Sequence, residues 1–92
     1  IAASYRNEGF SQGLEYAGGF LYESENKVGT DVINRLDVER LLTTGDARRA
    51  TVRQVNGPAR GIEDLAWDGG QYLYTSDESV FRFFRVRLGA MD

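Results

Sequence analysis

Two stretches of the chain follow one plan, and that repetition limits the possible folds more than any single residue does. Gly9 to Ser24 reads GFSQGLEYAGGFLYES, and Gly61 to Ser76 reads GIEDLAWDGGQYLYTS. In each, apolar residues alternate with others (Leu14 and Tyr16; Leu65 and Trp67) before a glycine-rich break. An aromatic run then resumes, Phe20-Leu21-Tyr22 in the first stretch and Tyr72-Leu73-Tyr74 in the second. Alternation, a glycine break and a second apolar run are the signature of a β-hairpin. The offset between the copies is 51 residues before the turn and 52 after it, with Gln71 as the additional residue. The chain therefore holds two copies of one unit.

Read in order, Ile1 to Tyr5 is short, apolar and β-compatible, and Asn7-Glu8-Gly9 breaks it. Asn26 to Thr30 is a loop after the first hairpin. Asp31 to Leu42 tolerates either helix or strand, but its β-branched residues favour a strand over Val32 to Val38. A turn at Thr43 to Asp46 leads to an alternating strand at Ala50 to Val55, which Asn56-Gly57-Pro58 stops. In the second unit, strands are predicted at Gly61 to Trp67, Tyr72 to Thr75 and Val80 to Leu88. The last of these, VFRFFRVRL, has apolar residues on both faces, as a strand covered on both sides does. Unit one thus has four strands, around Leu14, Leu21, Val32 and Val52. Unit two has three, around Leu65, Leu73 and Phe83.

Four antiparallel strands in a repeat of about 40–50 residues is the blade of a β-propeller. The predicted fold is all-β, with two four-stranded antiparallel propeller-like blades in a single domain over residues 1–92. Blade one spans about 9–55. Blade two spans about 59–92, its missing strand supplied by the N-terminal strand 1–5. At 92 residues such a chain buries only about 60% of its unfolded surface. Two blades do not close a ring, and each needs a neighbour on both faces. Completion is expected either by homo-oligomerisation, a trimer of six blades first and a dimer of four second, or by further blades of a longer chain.

Composition removes several chemistries. There is no cysteine and no histidine, so disulfides, thiol nucleophiles, the usual general base and the commonest metal ligands are excluded. No metal site and no cofactor are expected. The net charge of −3 argues against a nucleic-acid partner. No apolar run approaches the roughly 18 residues of a membrane span, and no leader segment is recognised. Ten of the eleven basic residues are arginines, the type suited to fixed, interfacial contacts.

The residues also carry a family likeness. Phe10-Ser11-Gln12-Gly13-Leu14, then Leu21-Tyr22-Glu23-Ser24, resembles the F-T-Q-G-L and L-Y-E-S of the plant-type glutamine cyclotransferases (glutaminyl-peptide cyclotransferases). Val32-Ile33-Asn34-Arg35-Leu36-Asp37-Val38-Glu39 is similar to that family's S-x-R-x-V-D-L-E. The resemblance covers about Tyr5 to Glu39. Further on, Gly61-Ile62-Glu63-Asp64-Leu65-Ala66 stands where the family has F-G-E-G-L-T, with Asp64 in place of its second glycine. The family's tryptophan after the next strand has no counterpart in Thr75-Ser76-Asp77-Glu78, and family members carry five blades on one chain.

The resemblance implies an acyltransferase that forms pyroglutamate from an N-terminal glutaminyl peptide and releases ammonia. It implies Glu63 as the acid–base catalytic residue and Gln12 as the group that hydrogen-bonds the substrate amide. Phe10, Tyr16 and Trp67 would wall the substrate pocket. The compartment is left open, although the family resembled is often secreted or periplasmic.

Two other classes fit the same residues: a non-catalytic module binding a small ligand or glycan, and a propeller fragment or scaffold without activity. Gln12 and Glu63 also suit polar ends of inner strands facing water. Trp67, Tyr22 and Tyr74 suit packing between blades. Glu23, Glu25, Asp77 and Glu78 read as solvated loop charges. Arg82, Arg85 and Arg87, alternating with aromatics, suit an anionic or planar ligand or carboxylates of a neighbouring blade. No phosphate-loop motif occurs.

Overall fold

The glycine break of the first unit makes a two-residue turn. In the computed structural model, which describes residues 3–7, 9–77 and 79–92, strand β1 (Phe10–Ala17) reverses at Gly18-Gly19 into β2 (Phe20–Asn26). Both glycines have positive φ, 56° and 94°, the backbone a twisted hairpin demands and side chains resist. The chain continues through β3 (Val32–Asp37) and two short helices, α1 (Val38–Thr44) and α2 (Ala47–Ala50), into β4 (Thr51–Asn56). These four strands form an antiparallel meander in sequence order.

The second unit repeats the first three strands as β5 (Leu65–Trp67), β6 (Tyr72–Asp77) and β7 (Arg82–Arg87), followed by a 3-10 turn at Leu88–Met91. Equivalent residues make equivalent contacts. The Arg35 guanidinium lies 4.8 Å from the centre of the Phe20 ring. At the matching positions, Arg85 lies 4.2 Å from the centre of the Tyr72 ring.

The chain is mostly β, with one four-stranded and one three-stranded antiparallel sheet. Several sequence expectations change. The segment after Asp37 is helical because Asp37 caps α1 by accepting from the Arg40 N–H, and Gly45 closes it. The predicted strand at Gly61 to Trp67 is confined to Leu65–Trp67. Of the predicted N-terminal strand, Ile1 and Ala2 lie outside the described residues, and Ala3, Ser4 and Tyr5 are not in a strand. Arg6 makes an isolated parallel bridge with Asp46 of the first unit. Strand β7 is not covered on both sides within one chain, for Phe83 is exposed.

The main core lies between the sheets. Ala17, Tyr22 and Ile33 of the first pack against Ile62, Leu65 and Leu73 of the second, with Met91 beside them. A smaller cluster, Leu36 with Ala47 and Ala50, seats the helices on the opposite face of the first sheet. Asp31 fastens the connection between units. Its buried carboxylate accepts from the Lys27 N–H at 3.0 Å and from the Ile62 N–H at 2.9 Å. Its own N–H donates to the Arg60 carbonyl, and its carbonyl accepts from the Gly57 N–H.

Candidate functional site

The two units meet along β1 and the segment leading into β5. Gly13 makes that approach possible, since a Cβ there would stand 2.6 Å from Asp64 Cα and 2.8 Å from the Leu65 nitrogen. Such distances are below any real contact, so only glycine fits. The residues just before this crossing point are Gln12 and Glu63, the two repeat-equivalent polar residues. Gln12 is the extra residue of a β-bulge, where the β1–β2 register jumps between Ser11 and Gly13. Its side chain is exposed. The backbone at Glu63 is held from both units: its N–H donates to the Ser76 carbonyl, and its carbonyl accepts from the Ser24 hydroxyl. The Glu63 side chain is exposed. Asp64 accepts from the Leu65 N–H at 3.0 Å.

Glu15 ties the other end of the seam. One oxygen accepts from the Tyr16 N–H at 3.1 Å and the other from the Trp67 N–H at 3.2 Å. The repeat-equivalent aromatics Tyr16 and Trp67 thus stand on adjoining strands, both exposed. Trp67 closes its own hairpin, its ring N–H donating to the Gly70 carbonyl. Along β1, Tyr16 is four residues from Gln12, roughly 13 Å at a strand's rise. Tyr16 and Trp67 therefore lie too far along the seam to wall a pocket for one glutamine side chain at Gln12 and Glu63. Phe10 is exposed two residues before Gln12. Of the aromatics expected between blades, Tyr22 is buried there, whereas Trp67 and Tyr74 are exposed.

A second polar feature was not foreseen. Glu23 and Glu25, expected as solvated loop charges, are buried strand residues on one face of β2. The Asn34 amide nitrogen donates to Glu23 at 3.0 Å and to Glu25 at 2.9 Å, and its oxygen accepts from Gln54 at 2.8 Å. Asn7 donates to the other Glu23 oxygen, and Lys27 pairs with Glu25 at 3.6 Å. Together with Arg48 and Thr51 these groups line a cavity of about 320 Å³. The two glutamates in E-S-E, two residues apart on a strand, were the signal, since that spacing puts them on one face.

Asp77 likewise is buried at the end of β6 rather than solvated, and Glu78 lies outside the described residues. The Ser79 hydroxyl, donating to Asp77, holds its carboxyl below the ordinary aspartate value of 3.8. Burial opposes that shift, and the N–H groups of Ser79, Gly61 and Val80 add to it. Among the described residues, no three acidic side chains are grouped to hold a metal ion. No protein-family model, curated protein or solved structure matches the chain.

Proposed function

We propose that the chain is a propeller-type module that binds the amino terminus of glutaminyl peptides at the β1–β5 seam and cyclises it to pyroglutamate. The observation that carries the reading is the close crossing at Gly13 and Asp64, beside which Gln12 and Glu63 stand. These are the residues for which the family resemblance implies roles.

In this reaction the neutral α-amine attacks the γ-carboxamide carbon of the same residue. A carbon–nitrogen bond forms, the amide carbon–nitrogen bond breaks, and ammonia leaves. The proton lost by the amine must reach the departing nitrogen, a transfer suited to one carboxylate acting first as base and then as acid. Glu63 takes that role. Gln12 donates to the amide oxygen, where negative charge develops. Holding the side chain folded back on the amine supplies the remaining acceleration. Exposure of Glu63 in the single chain means that substrate, or a neighbouring blade, completes the enclosure that such a base needs.

The test is incubation with a glutamine-leading peptide, followed by mass spectrometry for loss of ammonia. Activity that disappears in Glu63→Gln and falls in Gln12→Ala supports the reading. No turnover by the assembled protein counts against it.

A second reading has its own observation, the polar cavity at Glu23, Glu25 and Asn34. A non-catalytic module would take a small ligand bearing an ammonium or several hydroxyls there. Binding that is lost in Asn34→Leu and unchanged in Glu63→Gln distinguishes it.

A further inference from the structure

The aromatic face of the second sheet repeats, in exposed form, a surface that the first sheet buries. In the first sheet Tyr22 pairs with Arg35 and Ser24 with Ile33. In the second, Tyr74 pairs with Arg85 and Ser76 with Phe83. The pairs are built alike, but Tyr22 is 2% and Ile33 0% exposed, against 39% for Tyr74 and 89% for Phe83. The first pair lies under the second sheet of the same chain. Among the described residues, nothing covers Tyr74 and Phe83 in this way. Phe81 beside it is also exposed, which makes an apolar patch of the kind that marks an interaction surface.

The other half of the contact is also present twice, once covered by the neighbouring sheet and once open only in part, since the second leucine of that half packs against the helix cluster. The second sheet meets the first through Leu65, 5% exposed, and Leu73. Their repeat equivalents are Leu14, 59% exposed, and Leu21. Leu14 pairs with Glu23, which is buried and takes hydrogen bonds from Asn7 and Asn34, while the Phe83 face carries Arg85 and Arg87. Helices α1 and α2 sit over Leu36, which confines the available contact to the inner part of the first sheet, around Leu14.

We propose that the Phe83–Tyr74 face docks onto the Leu14 face of a second copy of this chain, head to tail, repeating between copies the contact already made within one. Such a heterologous contact closes into a ring when its rotation allows. It adds blades two at a time. The inference is independent of which ligand the seam takes, and a chain without cyclase activity leaves it untouched.

The experiment is sedimentation velocity on the full chain and two variants, Phe83→Asp and Leu14→Asp. Both side chains are exposed in the single chain, so both variants keep its circular dichroism spectrum. The wild type is expected at a whole multiple of the chain mass, and each variant alone at the chain mass. Each variant retains one intact face of opposite kind, so their equimolar mixture is expected to give a pair of twice the chain mass and nothing larger. A wild type that stays at the chain mass through the highest soluble concentration overturns the proposal. So does a mixture that fails to pair. Loss of assembly in Phe83→Asp but not in Leu14→Asp overturns it in favour of a symmetric contact between two aromatic faces.

Discussion

Replacing Gly13 with alanine probes the seam directly. The new methyl group would meet Asp64 Cα at 2.6 Å, the Leu65 nitrogen at 2.8 Å and the Asp64 carbonyl carbon at 2.9 Å. All three are backbone atoms, so no side-chain rotation relieves the contact. Reaching the 3.4 Å of an ordinary contact from 2.6 Å requires the strands to separate by about 0.8 Å. That displacement loosens the core between Tyr22, Ile33 and Leu73. Overpacking a well-filled site costs about 1–3 kcal/mol, and a purely backbone clash belongs at the upper end. Alanine also restricts the unfolded chain, which offsets up to about 1 kcal/mol. The net destabilisation is about 2 kcal/mol, or roughly 8–16 °C in Tm for a domain of this size. Urea titration followed by tryptophan fluorescence measures it, with Gly89→Ala as the control, since a Cβ there meets nothing within 4 Å. A Gly13→Ala protein within 0.5 kcal/mol of wild type would refute the close approach of β1 to Asp64.

Three further outcomes are expected. Asp31→Ala removes the acceptor of the Lys27 and Ile62 N–H groups and leaves the latter buried and unpaired; a loss of about 3 kcal/mol is expected in urea melts. The Thr75 hydroxyl is buried with no hydrogen-bond partner among the described residues, so Thr75→Val is expected to stabilise by ~1 kcal/mol, and a destabilised variant would show a missed partner. Asp77 titrates below 3.8 when folded, so its contribution to stability is complete above that pH and is lost as the pH falls through the folded value. Ser79→Ala removes the largest cause of the lowering; carboxyl-carbon NMR should show the Asp77 midpoint rising, and an unchanged midpoint would contradict the hydroxyl's role.

The repeat made the sheets legible. Alternation around Leu14 and Leu65, together with two adjacent glycines, specifies hairpins by local chemistry alone, and the strands at Leu14, Leu21, Val32 and Val52 all formed. Gln12 and Glu63 were singled out by the family resemblance, and the repeat makes them equivalents. Helices α1 and α2 were hidden because seven and four residues are too few to display a 3.6-residue period against the β-branched run before them. Their caps, Asp37 with Gly45 and then Asp46, were the available signal. The burial of Glu23 and Glu25 depends on Asn34, which donates to both and is itself held by Gln54, an arrangement that exists only after β2, β3 and β4 pair. The E-S-E spacing puts both glutamates on one face, but their burial is set by tertiary contacts that no local pattern carries. Strand β7 read as covered on both sides because Phe83 and Val86 point to opposite faces, and one of those faces is open in the single chain.

The most direct test of the seam as the functional site is an amide-resolved NMR titration of the Glu63→Gln protein with a glutamine-leading peptide. This variant retains the binding surface while removing turnover. The expected result is shifts clustered at Gln12, Gly13, Glu63→Gln itself and Asp64, with weaker changes reaching Tyr16 and Trp67. Shifts confined to Glu23, Glu25, Asn34 and Gln54 would move the site to the polar cavity, and a spectrum unchanged at saturating peptide would contradict glutaminyl recognition by this chain.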